Sequence, residues 1–164
     1  MSAVAELTEN LRELRRVIGE LLTLSYEKRR VISHGDTDRL AEISSLETRL
    51  LSQLNAAERK RYAVAPAAMR EISDGDGSTL GDLINASDGD ARKTLSELKT
   101  ELTSTMKLLM EMNERNTELL RKQIDHNADV IDVLTPPQDP LNNFYGGNGQ
   151  LTDERQRGFY SGEA

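Results

Sequence analysis

Apolar residues recur at alternating intervals of three and four positions along most of residues 90–134. Glu, Lys and Arg fill most of the remaining positions, and no Pro or Gly interrupts the stretch. This heptad pattern predicts one continuous helix of the coiled-coil type, about 65 Å long at 1.5 Å per residue. Such a helix cannot bury its apolar side alone, so we expect it to pack against other helices. The repeat positions are Ala91, Leu95, Leu98, Leu102, Thr105, Leu109, Met112, Asn116, Leu119, Gln123, His126, Val130 and Val133.

Two earlier segments carry similar patterns and predict helices over about residues 3–33 and 37–62. The pair His34-Gly35 is typical of a helix C-terminus, and Asp36 or Thr37 can cap the helix that follows. Because the connection is so short, the two helices are expected to be antiparallel neighbours. The first pattern uses Val4, Leu7, Leu11, Leu14, Ile18, Leu21, Ser25, Lys28 and Ile32, and the second uses Leu40, Ile43, Leu46, Leu50, Leu51, Leu54 and Ala57.

Residues 63–90 are less regular and predict short helices within 66–86. Pro66 suits the first turn of one of them, and Ser78 can cap another. This crossover would let the long helix return along the first two. The pattern therefore predicts an all-α fold, an elongated antiparallel three-helix coiled-coil bundle over residues 1–135.

Residues 136–164 are predicted to be a flexible tail, since three of the four prolines lie there and no helical pattern continues. The tail nevertheless holds four of the six aromatic residues, in two Phe-Tyr pairs. Apolar anchors on a flexible segment are typical of a segment that docks onto a surface. The pairs are Phe144-Tyr145 and Phe159-Tyr160.

Composition narrows the class of protein. The chain has 164 residues, of which 37% are apolar, 30% charged and only 4% aromatic, which suits narrow helical interfaces better than a thick core. A net charge of −7 argues against nucleic acid as the main partner. Without cysteine there is no disulfide or thiolate site, and neither a secretory signal nor a membrane-spanning run is visible. We expect a cytoplasmic protein without membrane insertion.

No pattern of residues indicates catalysis or a cofactor. Asp74, Asp76 and Ser78 resemble the start of a calcium loop, but Asn85 stands where such a loop needs a bidentate Glu. His126 between Asp125 and Asp129 is a weak metal-like cluster that is better interpreted as a solvated or seam-lining histidine. We therefore predict no enzyme, no metal site and no cofactor.

Two features of the long helix have two interpretations each. Met106, Met110 and Met112 are either ordinary packing or an adaptable apolar groove, because thioether side chains accommodate varied partners. Asn116 lies at a repeat position, where a buried amide usually determines helix register. Alternatively, Asn113 and Asn116 hydrogen-bond the backbone of a partner.

Short motifs in a particular order resemble one known family. These motifs are L-L-M-E-M-N-E-R-N-T-E-L-L (108–120), L-L-T-L-S-Y-E-K (21–28), H-G-D-T-D-R-L-A-E-I (34–43), Glu58 with Arg61, and Tyr145-Gly146-Gly147. Together they resemble FlgN-type flagellar export chaperones, whose last helix carries an N-x-x-N signature.

The resemblance implies a cytoplasmic chaperone that binds the C-terminal helical region of hook–filament junction (hook-associated) proteins. It would prevent their premature assembly and deliver them to the flagellar type III export apparatus. We expect the bound helix to lie in an apolar groove on the second half of the long helix. The predicted client-binding residues are Met106, Leu109, Met110, Asn113, Asn116, Leu120 and Ile124. The alternative is a self-associating coiled-coil scaffold without an export client, and a homo-oligomer is compatible with both interpretations.

Deletion of residues 136–164 is expected to change client affinity or self-association, because the tail aromatics would cover part of the groove in the free protein. Calorimetric titration and light scattering on the shortened and full-length chains would measure both quantities. If neither quantity changes, the tail does not dock.

Overall fold

A computed structural model of the protein describes residues 1–73 and 79–134. These ranges contain four helices and no strand, so the prediction of an all-α fold is confirmed. The helices are α1 (Ala3–His34), α2 (Thr37–Ile72), α3 (Leu80–Ala86) and α4 (Gly89–Leu134). None of them is both long and apolar enough to cross a membrane.

The chain divides into two compact units. Residues 1–121 form the first, and residues 122–164 form the second, of which 122–134 are described. The predicted domain boundary at residue 135 lies outside the described residues and stays a prediction. The first unit contains α1, α2, α3 and most of α4, and the site described below belongs to it.

The turn between α1 and α2 has the chemistry that the sequence indicated. Gly35 adopts a left-handed backbone with φ of 69°, and its N–H donates to the Ile32 carbonyl at 3.1 Å. An L residue with a Cβ is strained in this conformation, which is why glycine ends the helix here. The Asp36 side chain then accepts a hydrogen bond from the Arg39 N–H at 3.0 Å and caps α2.

The second helix is longer than predicted. The expectation that it ends near residue 62, with Pro66 beginning a separate short helix, is wrong, because α2 continues through Pro66 to Ile72. Proline removes one backbone hydrogen bond and disfavours a helix interior. Alanine-rich flanks have high helix propensity, and Ala65, Ala68 and Met69 are buried against the core. Burial of this face offsets the cost of Pro66, which is itself exposed.

Replacement of Pro66 by alanine is expected to raise the free energy of unfolding by about 1–3 kcal/mol, because the helix-interior penalty of proline disappears. Part of the gain is lost to the more flexible unfolded chain. Urea unfolding followed by circular dichroism would measure the change. A neutral or destabilising effect would instead indicate that Pro66 starts a helix, as the sequence pattern predicts.

Helix α3 is one of the short crossover helices that were predicted within residues 66–86. Its cap is Thr79, whereas Ser78 lies outside the described residues. The Thr79 hydroxyl accepts from the Asp82 N–H at 3.1 Å, and the Asp82 carboxylate accepts from the Thr79 N–H at 3.1 Å. This reciprocal capping box stabilises the helix start.

Within the first unit, α2 is antiparallel to α1, and α4 runs parallel to α1. Asn10 donates to the Ala57 carbonyl at 3.1 Å near the start of α1, and Lys28 pairs with Glu47 near its end. Arg15 of α1 pairs with Glu101 of α4, and a later residue of α1 contacts a later residue of α4, so these two helices run in the same direction. The three long helices thus form the predicted bundle topology.

The core of the first unit consists of two apolar clusters. One surrounds the first half of α1, and the other surrounds its middle. The first cluster contains Leu7, Leu11, Leu14, Ala57, Ala65, Ala68, Met69, Leu83, Leu95 and Leu98. The second contains Val17, Ile18, Leu21 and Leu109, with Leu50, Leu54, Leu102 and Met106 packed against it. Because α1 contributes to both clusters, it forms the floor between α2 and α4.

Candidate functional site

A surface furrow runs between α2 and α4, with α1 as its floor. It consists of two cavities of about 1100 Å³ and 280 Å³, and Asn113 lines both. We call it the α2–α4 furrow. The first cavity is lined by Leu11, Leu14, Ile18, Glu58, Arg61, Leu80, Lys99, Leu102, Thr103, Met106, Lys107, Met110, Glu111, Asn113 and Glu114. The second is lined by Leu21, Ser25, Lys28, Glu47, Leu51, Leu109, Asn113, Asn116, Thr117 and Leu120.

Helical periodicity explains why these residues meet. On α4, positions 99, 103, 106, 110, 113, 117 and 120 repeat at intervals of three and four, so they share one side of the helix. Positions 47, 51, 58 and 61 of α2 are separated by four, seven and three residues, so they also share one side of their helix. Each wall is therefore one continuous side of a helix, and the opening between the walls has the form of a groove.

The first cavity combines an apolar interior with a charged rim. Met106 is half-buried, while Met110 is 65% exposed although it lies in an apolar setting. On the α2 side, Arg61 donates to Glu58 at 3.0 Å. These hydrogen bonds raise the pKa of Arg61 above its ordinary value, so the guanidinium stays charged. Unbranched thioether side chains suit the contact surface of a groove that must fit varied apolar partners.

The rim of the first cavity carries both signs of charge on α4. Lys99 and Lys107 lie on the N-terminal part of this wall, and Glu111 and Glu114 lie on the C-terminal part. Exposed charges of this kind contribute little affinity, but they influence association rate and orientation.

The second cavity has a hydrogen-bond network that joins α4 to α1. The Ser25 hydroxyl donates to Asn113 Oδ1 at 2.6 Å, and Asn116 Nδ2 donates to the Ser25 carbonyl at 2.8 Å. Beside them, Lys28 and Glu47 form an ion pair at 2.8 Å that is largely buried. Both asparagines of the N-x-x-N motif thus bind the same residue of α1.

This network supports the register interpretation of Asn116. The residue is only 2% exposed, and its amide determines which turn of α4 faces Ser25. Its Oδ1 accepts no hydrogen bond from the described part of the chain. Asn113 differs from it, because this side chain is exposed and borders both cavities.

The structure brings six of the seven predicted client-binding residues into the furrow. Met106, Met110 and Asn113 line the first cavity, and Leu109, Asn113, Asn116 and Leu120 line the second. Leu109 and Asn116 are buried, so they support the furrow wall from beneath. Ile124 belongs to the second unit, where it is exposed. Whether these residues bind a client stays a prediction.

The methionine cluster divides between its two interpretations. Met112 is buried and packs in the helix interface, as ordinary core methionine does. Met106 and Met110 line the furrow instead.

The predicted docking residues of the tail, Phe144, Tyr145, Phe159 and Tyr160, lie outside the described residues, as do Asp74 and Asp76. Across residues 1–73 and 79–134, no group of His, Asp and Glu side chains is arranged to hold a metal ion.

Sequence reasoning missed the α2 wall. Leu51 is 49% exposed and lines the second cavity, and Glu58 with Arg61 borders the first. The sequence did contain one indication of this wall. Leu50 and Leu51 are adjacent and cannot share one side of a helix, so α2 must carry apolar residues on more than one side. A second signal was that Ser25 and Asn116 are polar residues at repeat positions of two helices, which favours a bond between them.

A third cavity of about 730 Å³ lies between α1 and α2 and is lined by several arginines. Its chemistry differs from that of the furrow. Arg16, for example, donates hydrogen bonds to Glu13 and Glu20, and the bond from Arg16 holds the pKa of Glu13 below its ordinary value. Charges already paired on an exposed surface make this cavity a poorer match for an apolar helix.

Comparison with known proteins supplies the family. The family model described as "FlgN protein" matches residues 1–153. "Uncharacterized protein YvyG" of Bacillus subtilis (strain 168) is 27% identical over 142 residues, which covers 87% of this chain and 86% of that protein. "Flagella synthesis protein FlgN" of Escherichia coli (strain K12) is 26% identical over 157 residues, covering 94% and 96%.

The protein of the same name from Salmonella typhimurium (strain LT2) is 24% identical over 157 residues, with the same coverage of 94% and 96%. No solved structure matches the chain at the threshold that these relatives meet. The predicted resemblance is therefore confirmed, and this chain belongs to the FlgN protein family.

Proposed function

We propose that this protein is a cytoplasmic flagellar export chaperone whose α2–α4 furrow binds the C-terminal helical region of hook–filament junction proteins. Binding would prevent premature assembly of these clients, and the chaperone would deliver them to the type III export apparatus. The proposal requires no cofactor and no catalysis. Family membership supports the flagellar role, and the relatives from Escherichia coli and Salmonella typhimurium carry the name "Flagella synthesis protein FlgN".

The observation that carries the proposal is the form of the furrow. Two helix walls leave an apolar opening over α1, and Met110 projects into it with most of its surface exposed. An amphipathic helix that would otherwise self-associate can bury its apolar side in such a groove. The three long helices α1, α2 and α4 and the bound helix would then form a four-helix arrangement.

The test is calorimetric titration with C-terminal fragments of the hook–filament junction proteins from the same organism. We expect micromolar or tighter dissociation constants, equivalent to about −8 kcal/mol or better. The variant Leu120→Glu should weaken binding while the chain stays folded, because Leu120 is half-buried at the edge of the second cavity. Absence of heat with every fragment would contradict the proposal.

A self-associating scaffold is the second candidate, and one observation favours it. In the second unit, the last turns of α4 carry exposed apolar side chains, among them Ile124, Val133 and Leu134. Exposed apolar surface of this kind is typical of contact sites. Light scattering that reports stable oligomers, together with no binding of junction fragments, would favour this candidate.

A further inference from the structure

We propose that the furrow binds its client helix in one preferred direction, which is determined by charge. The more acidic half of the bound helix lies beside Lys99 and Lys107, and its more basic half lies beside Glu111 and Glu114. This inference rests on the proposed function, because it specifies the kind of helix that the same furrow recognises. Its starting point is the distribution of charged residues along the two cavities.

The charges that border the furrow on α1 and α2 are paired with each other. Arg61 donates to Glu58 at 3.0 Å beside the first cavity, and Lys28 binds Glu47 at 2.8 Å beside the second. The fields of a cation and a carboxylate in contact largely cancel at a distance. These two pairs therefore do not distinguish one end of a bound helix from the other.

The remaining charges of the furrow all belong to α4. Lys99, Lys107 and Glu114 are exposed, and Glu111 is half-buried. Within residues 1–73 and 79–134, none of these four side chains forms an ion pair or a hydrogen bond. Their charges are therefore available to the side chains of a helix that enters the furrow.

The two signs of charge are separated along α4. Both lysines precede both glutamates, and the four residues extend over 15 positions, a length of about 22 Å. Lys99 marks the end of the furrow beside α3, because a Cβ placed on Gly81 would lie 3.4 Å from the Lys99 amino group. Glu114 follows Asn113, which borders both cavities. The rim is thus positive toward α3 and negative toward the second cavity.

This separation makes the two directions of a bound helix unequal. In one direction, each half of the helix lies beside charges of opposite sign, and in the other direction it lies beside charges of its own sign. The apolar residues Met106 and Met110 adapt to either direction, because thioether side chains are flexible. Charge is therefore the feature of the furrow that distinguishes the directions.

The same separation specifies the kind of partner. A helix with evenly mixed charges beside its apolar stripe has equal contacts with the rim in both directions. A helix with acidic residues in one half and basic residues in the other is attracted in one direction and repelled in the other. The rim therefore fits a client helix whose two halves differ in charge.

Cross-linking between single cysteines measures the direction. The chain contains no cysteine, so Thr103→Cys and Thr117→Cys each introduce one thiol. Both threonines are exposed and line the furrow, and they are about 21 Å apart along α4. The probe is a C-terminal fragment of a hook–filament junction protein that binds the unaltered chain in calorimetry. It carries one cysteine, in either the acidic or the basic half of its helix.

We expect the cysteine in the acidic half to form a disulfide with Thr103→Cys about tenfold more often than with Thr117→Cys. The cysteine in the basic half should show the reverse preference. Disulfides exchange in a glutathione buffer, so the yields at equilibrium report the populations of the two directions. The preference should decrease in 1 M salt, because the Debye length falls from about 8 Å to about 3 Å.

A matched pair of variants tests whether the rim causes the preference. The furrow variant combines Lys99→Glu with Glu114→Lys, so each half of the rim carries one charge of each sign and the two directions should become equal. The control combines Lys93→Glu with Glu97→Lys. These are the same two substitutions at exposed positions of α4 that line neither cavity, so the preference should stay about tenfold.

A second measurement applies if the furrow variant does not fold. The acidic and basic residues of the fragment are exchanged between its two halves, and the unaltered α4 rim is kept. The disulfide preference should then reverse, because the two halves of the helix have exchanged their charges.

A preference that follows the charges, and that the furrow variant or the exchanged fragment changes as described, supports the inference. Three results overturn it and leave the proposed function intact. They are binding without a preferred direction, a preference that neither change affects, and binding only by fragments whose two halves do not differ in charge. If no fragment binds the unaltered chain in calorimetry, the proposed function is overturned as well.

Discussion

Replacement of Met110 by glutamate is expected to abolish most of the affinity for the helical region of a junction protein. Met110 is 65% exposed and lines the first cavity, so a bound helix would bury it. A carboxylate at this position would lose much of its hydration when an apolar helix covers it, which is unfavourable. Loss of a central anchor in an interface costs about 2 kcal/mol or more, which is roughly a thirtyfold increase in the dissociation constant.

Leu108→Glu provides the control on the same helix. Leu108 is 47% exposed, similar in size, and absent from the lining of the furrow. Its replacement introduces the same charge on the opposite side of α4, so client affinity should stay within about twofold, as expected for a residue outside the interface. Titration calorimetry on both variants would give the comparison. Equal weakening by both, or by neither, would show that the furrow is not the binding surface.

Replacement of Leu95 by alanine is expected to lower the free energy of unfolding by about 2–5 kcal/mol, because a large buried side chain is removed and a cavity remains. Leu95 is completely buried in the cluster that joins α4 to the first half of α1. Since small domains are stable by only about 5–15 kcal/mol, the effect is a large share of the total. Urea unfolding followed by circular dichroism at the helix band would measure it.

The exposed residue Leu108 also provides the control for Leu95→Ala. Leu108→Ala changes the same kind of side chain on the same helix, but at a site where little burial is lost. Its effect should stay within about 0.5 kcal/mol, as is usual for surface substitutions. If Leu95→Ala were as mild as Leu108→Ala, then α4 would not be packed on α1 in solution.

Leu95 and Met110 have different roles on the same helix, α4. Leu95 holds α4 in the bundle, whereas Met110 lies mostly exposed in the lining of the furrow. A chain with Met110→Glu should therefore unfold at nearly the same urea concentration as the unaltered chain while it loses its client. That separation of stability from binding is what a surface built for a partner helix requires.

The sequence by itself determined the helices and their limits wherever local physics dominates. The repeat from Leu95 to Asn116 produces one apolar side, because the helical period of 3.6 residues matches it. Gly35 ends α1 because only glycine adopts its backbone conformation without strain, and Asp36 caps α2 through its own side chain. These choices involve neighbours in the chain and can be predicted without the fold.

Tertiary structure decided the continuity of α2. Local chemistry favours a helix start at Pro66, and the local sequence does not show the contacts with distant residues that oppose it. Ala65, Ala68 and Met69 are buried by residues of α1, α3 and α4 that are far away in sequence. The energy of that burial exceeds the local penalty, so the helix passes through the proline.

The tertiary structure also decided which residues of the candidate site are buried and which are exposed. The predicted client-binding residues of α4 included Leu109, Met110, Asn113 and Asn116 together. Only the position of α1 shows that Leu109 and Asn116 are buried beneath the surface while Met110 and Asn113 remain on it. The opposite wall, with Leu51 and Arg61, belongs to α2, and the sequence pattern of α2 does not indicate that α4 lies beside it. A heptad pattern specifies that a helix has a partner side, but which neighbour covers that side, and which part stays open, depends on packing between segments that only the folded chain brings together.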